Sequence, residues 1–469
     1  MQQHASFSTV IRNRGFLNLW INQILVQFAY NSLNFALIIW VFKLTDSNTA
    51  VSALLFAVYL PAVILGLLTG ILVDVTDRKK VILWVNFLLA VCFISLIYLK
   101  TNFIALLAVT FFINTLIQFY NPSEASAIPL VVKKHQLLAA NALFSITLFS
   151  AFLLGFGLAG PLLTHLGINF VFKLEAVLAS AAFLMAFRFP PILNKRDEQG
   201  RLLIKALRQK DAGSIKRVVL QEIGETIRLI RGKLIVFSAI MIMAGVQMVI
   251  GVLAVLVPSF FERVVQIRAT EASLVLVLPL GLGMVLGGFC LGRLGHKFPR
   301  RIIVGRGIIL AGLLLFTVGF APIISPAIKY SERIITNNRI MMLRKPKPLP
   351  FFYQPPLSAV LAFGSFLLGV AMVSIVVPSQ TVIQDSTPEG DRGKVFSTLG
   401  VVMAGMSLLP VLFAGVMADV FGTTPIFIAL GGVISILGFL ALKPDFFFAE
   451  HHLPLHMKQF LGLGHWRKK

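Results

Sequence analysis

Twelve stretches of mainly apolar residues divide this chain, six before residue 190 and six after residue 233. A helix needs about 20 apolar residues to cross the hydrocarbon core of a bilayer, and each stretch meets or approaches that length. In the first half the expected spans are Leu17–Val41, Ala50–Val73, Val81–Leu99, Phe103–Tyr120, Leu138–Leu163 and Asn169–Phe187. In the second they are Leu234–Phe260, Ala272–Leu291, Ile302–Ser325, Leu357–Val377, Val395–Val420 and Pro425–Leu442. A chain of 469 residues that is 57% hydrophobic and only 13% charged cannot present a water-soluble surface, so its solvent is lipid.

The formal charge of +23 at first suggests a nucleic-acid binder. Its Lys and Arg, however, sit in short gaps between apolar runs and form no single basic face, so nucleic acid is not an expected partner. Their distribution reads as topology, because cytoplasmic loops are enriched in Lys and Arg. With the N-terminus inside, the cytoplasmic loops collect Arg78, Lys79 and Lys80, then Lys133 and Lys134, the linker from Arg188 to Lys233, Arg293 to Arg306, and Arg392 with Lys394. Lys329 to Lys347 breaks the pattern locally, in a long loop of the kind that weighs little in setting orientation. Both termini are therefore expected to be cytoplasmic, in a cell membrane of the bacterial inner-membrane kind. Cys92 and Cys290 fall inside apolar runs and imply no disulfide. The N-terminus lacks the order of a signal peptide, so the first run is expected to stay as a helix.

The expected fold is an all-α polytopic membrane protein, with twelve transmembrane helices in two pseudo-symmetric six-helix bundles. Residues 1–189 form the first bundle and 234–443 the second. Between them, residues 190–233 are a basic linker in which Ile215, Val219, Ile223, Ile227 and Ile230 recur at helical spacing. An amphipathic helix on the inner membrane surface fits that spacing, and a solvated linker is the alternative. Residues 444–469 are a cytoplasmic tail.

The halves also echo each other in their loops. Gly70, Leu72, Asp74, Asp77, Arg78 and Lys79 run from the end of the second span into the loop after it, and at the matching place Gly288, Gly292, Arg293 and Lys297 run from the end of the eighth. Each puts small residues at a helix end, then a turn, then cations. The first loop resembles the G-x-L-x-D-x-x-G-R-K signature of the major facilitator superfamily, with Asp77 in place of the turn glycine, a variation similar to the macrolide-efflux and enterobactin-export branch. Pro122 and Pro129, Asn141, Gly160 with Pro161, and Thr387 through Arg392 to Phe396 resemble the same branch, over about residues 10 to 443.

The resemblance implies a secondary-active transporter working by alternating access between similar halves. Asp74 at its helix end is then expected to take part in a charge-assisted latch with Gly70, Asp77, Arg78, Lys79, Arg293 and Arg392, whose breakage permits opening. The plainer reading is that the cations only anchor the third helix at the inner face.

In the resembled fold, spans one, four, seven and ten surround the cavity. Span one carries Gln23, Gln27, Asn31 and Asn34 at steps of four, four and three; span four carries Asn114, Gln118 and Asn121 at steps of four and three. Each set forms one stripe. Span seven adds Gln247 beside Met243 and Met248, and span ten adds Ser374, Gln380 and Gln384. Amides turned to lipid cost several kcal/mol each, about 2–7, so these stripes face a ligand, water or another helix. Lining a cavity and bonding helix to helix both satisfy them.

No carboxylate lies within these four expected spans, so neither proton nor cation coupling is supported by them. Glu175 in span six, with Lys173 nearby, is expected near the outer interface. The resulting neutral cavity suits a hydrophobic or amphipathic small molecule, and export is the expected direction. A lysophospholipid or lipid flippase on the same scaffold, and a non-transporting membrane scaffold, are the alternatives. A lateral apolar opening would favour lipid and a packed centre would favour the scaffold.

His451, His452, His456 and His465 match no metal-ligand spacing, and Phe446–Phe448 read as membrane-surface anchors. No nucleophile–base constellation appears, so the chain is not expected to be an enzyme or to carry a cofactor. Expected partners are a small-molecule substrate and the lipid bilayer, with room for a coupling ion, for a chain acting as a monomer.

Overall fold

The computed structural model describes residues 7–133, 136–189, 234–294, 298–320, 355–387 and 392–442. Regular structure among them is helical throughout. After a single turn at Phe7–Ile11 come α1 (Arg14–Thr45), α2 (Asn48–Val75), α3 (Arg78–Leu99), α4 (Phe103–Val131), α5 (Leu137–His165) and α6 (Ile168–Ala186). They are followed by α7 (Leu234–Ser259), α8 (Leu278–Leu294), α9 (Arg300–Val318), α10 (Pro355–Ser386), α11 (Arg392–Phe421) and α12 (Thr423–Leu442). A π-helical stretch, Phe260–Val265, continues α7, and another, Ser273–Val277, leads into α8. Among the described residues, 12 helices are long and apolar enough to cross a membrane, as the apolar runs predict.

Several helices outrun the expected spans. At 1.5 Å per residue the 32 residues of α1 extend about 48 Å, beyond a hydrocarbon core of about 30 Å. The largest departure is in α4, which continues to Val131 instead of ending at Tyr120. Pro122 and Pro129 lie inside it, each removing one backbone donor, a loss that neighbouring helices in a bundle can absorb. Gly70 and Asp74 likewise belong to the last turns of α2, and the turn that follows is Thr76–Asp77. The linker residues Ile215 to Ile230, the Lys329–Lys347 segment and the histidine-bearing tail lie outside the described residues.

Sequence chemistry fixes the short connections. Asp77 caps α3 by accepting from the Lys79 backbone N–H at 3.0 Å, and Asn102 caps α4 through the Ala105 N–H at 3.1 Å. Gly167, between α5 and α6, and Gly422, between α11 and α12, have φ of +77° and +82°, a conformation costly for any residue with a Cβ. The same left-handed joint therefore stands at the corresponding place in each half of the sequence.

The chain divides into two compact units. One comprises Met1–Leu44, Ala53–Leu234 and Glu389–Leu409, and the other comprises Thr45–Ser52, Ile235–Pro388 and Pro410–Lys469. In the first unit α3 packs on α4 and α6, and a ring cluster of Trp84, Phe87, Phe183 and Phe187 lies along the α3–α6 seam. Two indoles on α1 are tied to their surroundings: Trp20 Nε1 donates to Thr147 Oγ1 at 2.7 Å and Trp40 Nε1 to the Lys100 carbonyl at 2.8 Å. In the second unit, α9 packs on α12 and α10 on both α8 and α9. A Cβ on Gly283 would stand 1.9 Å from the Phe366 carbonyl oxygen, and one on Gly369 2.0 Å from that of Leu280, so the backbones of α8 and α10 touch. Glycine, with no Cβ, permits that approach. Large apolar side chains such as Trp84, Ile104, Phe289 and Phe413 remain exposed, as lipid-facing residues should.

Candidate functional site

The amide stripes of α1 and α4 meet. Gln27 Nε2 donates to Asn121 Oδ1 at 3.3 Å, and the Tyr30 hydroxyl donates to Asn114 Oδ1 at 2.8 Å. Asn31, Asn34 and Asn114 each return an amide N–H to the carbonyl four residues earlier, on Gln27, Tyr30 and Thr110, at 2.7, 2.8 and 2.8 Å. Gln23 is buried against α5, donating to the Phe144 carbonyl at 3.3 Å, and its Oε1 has no hydrogen-bond partner among the described residues. Gln118 is half-buried and Asn121 exposed. Gln247 and Gln380, both half-buried, belong to the second unit.

Deeper along the same α1–α4 contact lies a second layer, and sequence reasoning missed it. Asn22, Asn86, Tyr120 and Glu124 are all buried. The Tyr120 hydroxyl is 2.8 Å from Glu124 Oε1 and 3.0 Å from Asn22 Oδ1. Asn22 Oδ1 also accepts from Asn86 Nδ2 at 3.3 Å, and Asn22 Nδ2 donates to the Ala182 carbonyl at 2.7 Å, which ties α1 to α3 and α6. A phenol has one proton, so Tyr120 can donate to Glu124 or to Asn22 but not to both. With Glu124 ionised, Tyr120 donates to it; with Glu124 protonated, the carboxyl donates to the phenol oxygen and the phenol turns to Asn22. Both states leave the group hydrogen-bonded. The α4 stripe therefore contains a carboxyl after all, which corrects the expectation that the cavity spans lack one. The signal was available: Tyr120 and Glu124 are four apart, on one face, once the helix is allowed past Pro122.

Glu175 also departs from expectation. Instead of reaching the interface it is fully buried on α6, with Ser32 beside it and neither carboxylate oxygen hydrogen-bonded among the described residues. Lys173, two residues earlier, is exposed.

The cations of the α2–α3 turn reach into the first unit. Arg78 is buried, and its Nε donates to Ser126 Oγ on α4 at 2.5 Å. Lys79 Nζ donates to the Phe187 and Phe189 carbonyls at 2.9 and 2.6 Å, capping the end of α6. Asp74 stands in the last turn of α2 and Arg392 opens α11, with the side chains of both outside the described residues; Arg293, near the end of α8, is exposed.

A further carboxylate went unnoticed in the sequence. Near the end of α11, Asp419 accepts from Ser47 Oγ at 2.7 Å, Asn48 N at 2.8 Å, Asn48 Nδ2 at 2.9 Å, Thr49 N at 2.9 Å and Thr49 Oγ1 at 2.7 Å. It caps the N-terminus of α2 from another helix, where unsatisfied N–H groups and the helix dipole favour an anion. One turn earlier, a Cβ on Gly415 would stand 2.0 Å from Ser52 Oγ, and Ser52 Oγ donates to the Val411 carbonyl at 2.8 Å. Arg263 reaches the same corner and pairs with Asp46 at 3.1 Å.

The comparisons agree with this architecture. The uncharacterised MFS-type transporter YfiS of Bacillus subtilis (strain 168) is 22% identical over 406 residues, covering 86% of this chain and 86% of that protein. Macrolide efflux protein A of Streptococcus pyogenes is 24% identical over 316 residues, 66% of this chain and 73% of that protein. Among solved structures, the nucleoside transporter NupG is similar with a TM-score of 0.65 and 13% identity, over 93% of this chain and 100% of the other, a likeness of fold alone. The profile of the Major Facilitator Superfamily matches residues 19–335, more than half the chain. With its twelve candidate spans and the Gly70–Lys79 signature, this multi-pass membrane protein belongs to the Major Facilitator Superfamily.

Proposed function

We propose that this transporter exports a hydrophobic or amphipathic small molecule by alternating access of its two sequence halves, and that Glu124 exchanges a proton during the cycle. The observation that carries the reading is the α1–α4 amide contact, Gln27 to Asn121 and Tyr30 to Asn114, continuous with the buried Tyr120–Glu124 pair. Half-buried Gln118 and exposed Asn121 retain hydrogen-bonding capacity for a solute, while Gln23 is closed off against α5. Intramembrane carboxyls are costly and mark proton or ion pathways. The efflux relative favours outward transport. The positive-inside pattern supports cytoplasmic termini in a bacterial inner membrane, and the chain acts as a monomer.

Vesicles loaded with a panel of amphipathic compounds test the reading directly. Gln27→Ala and Asn31→Ala are each expected to raise KM for the transported compound about five-fold, the loss of roughly one neutral hydrogen bond, with membrane levels unchanged. Unaltered KM in both variants would move the binding face elsewhere. Movement of phospholipid instead of the panel compounds would favour the flippase.

A further inference from the structure

A groove on the surface of the second unit runs between α9 and α10, with a volume of about 230 Å³. Its floor is Gly307 and Ala371, and its walls include Ile303 and Leu310, with Phe298 at one end. The floor exists because the two helices nearly touch: a Cβ on Gly307 would stand 2.9 Å from Ile375 Cγ1 and 3.1 Å from the Ala371 carbonyl oxygen. The groove is smaller than the roughly 300–1,000 Å³ of pockets that enclose drug-sized ligands, so it suits a chain lying along it better than a solute inside it.

One charge interrupts this apolar surface. Arg306 lines the groove, six residues into a span that begins at Arg300, and is exposed. That places it about 9 Å along the helix axis from the span's end. The other arginines of α9 are committed: Arg300 pairs with Asp385 at 3.1 Å, and Arg301 donates to the Ala441 and Leu442 carbonyls at 3.1 and 2.5 Å. Arg306 has no hydrogen bond or ion pair among the described residues, and the only other polar side chain in the groove, Ser374, donates its hydroxyl to the Val370 carbonyl at 2.8 Å. A cation at this depth needs a counter-charge, and the protein carries a formal excess of +23.

We propose that the α9–α10 groove binds one anionic phospholipid, its phosphate against the Arg306 guanidinium and an acyl chain along Ile303, Gly307 and Leu310. Guanidinium and phosphate match as a bidentate pair, and the small-residue floor accepts a chain. An arginine that merely snorkels to the headgroup layer would neither select one lipid nor respond to filling of the groove.

Native mass spectrometry of the full-length protein, titrated with phosphatidylglycerol or phosphatidylcholine, tests this. Wild type should retain one phosphatidylglycerol in preference to phosphatidylcholine, and Arg306→Gln should weaken that retention about five-fold, the effect of one cation near a lipid surface. Ser374→Phe, which fills the groove and leaves the charge in place, should lose the lipid to a similar degree. Arg300→Gln, at the same end of α9, should keep it and so shows that loss is not general unfolding. Equal retention by wild type and both groove variants, equal affinity for phosphatidylcholine, or displacement of the lipid by inorganic phosphate would each overturn the proposal.

Discussion

Asp419→Ala is expected to raise the exposure of the α2–α11 corner about thirty-fold. The carboxylate accepts five hydrogen bonds from Ser47, Asn48 and Thr49, two of them from backbone N–H groups at a helix N-terminus. Asp419 is itself exposed, so its bonds compete with water and do not add at full strength. Loss of an N-cap and of charge-assisted bonds still costs about 2 kcal/mol, equivalent to roughly thirty-fold in a two-state balance. The readout is the labelling rate of a cysteine at the buried position 52, in a Cys290→Ser background, with a water-soluble maleimide. Labelling tracks the population of the opened state. Asp419→Asn keeps an acceptor and should fall between wild type and alanine. Identical labelling rates in all three proteins would show that the carboxylate does not hold this corner. In a cycle that separates α2 from α11 at this end, the same bonds must break, so Asp419→Ala should also change the transport rate.

Glu124→Gln should reduce transport driven by a pH gradient about hundred-fold, with little change in the amount of folded protein. Positioned proton transfer is worth about 10²–10⁴ in rate, and glutamine keeps the shape and one acceptor for the Tyr120 hydroxyl while carrying no exchangeable acid proton. Tyr120→Phe should be milder, about ten-fold, because the carboxyl survives but loses the phenol that serves both protonation states. Transport into vesicles with and without an imposed pH gradient distinguishes these effects. Full gradient-driven transport by Glu124→Gln would remove Glu124 from the coupling step and leave it as a structural group within the Asn22–Asn86–Tyr120 network.

The extent of what the residues revealed follows from the range of each interaction. Long apolar runs specify spanning helices locally, because every backbone bond closes within the segment, and all twelve expected spans overlap observed ones. Stripes at steps of three and four were equally legible, and those of α1 and α4 do face each other at Gln27 and Asn121. Helix ends were less legible where proline misled: Pro122 reads as a stop in water, and ending α4 there hid Glu124. Asn22 lies one position from Gln23, on a face whose partners come from α3, α4 and α6, and no spacing rule within α1 points to them. Asp419 was hidden by distance. Its partners are more than 369 residues away in sequence, and a cap supplied by another helix leaves no local pattern.

The indole tethers on α1 carry a practical consequence for spectroscopy. Trp20 and Trp40 are held by hydrogen bonds and partly sheltered, whereas Trp84 is 60% exposed on the surface of α3. Brominated acyl chains should therefore dim Trp84 preferentially, and a protein carrying both Trp84→Phe and Trp466→Phe would leave emission to two anchored fluorophores, Trp20 and Trp40, near opposite ends of one helix. Their wavelength and polarisation then follow the local setting of α1 without any attached dye.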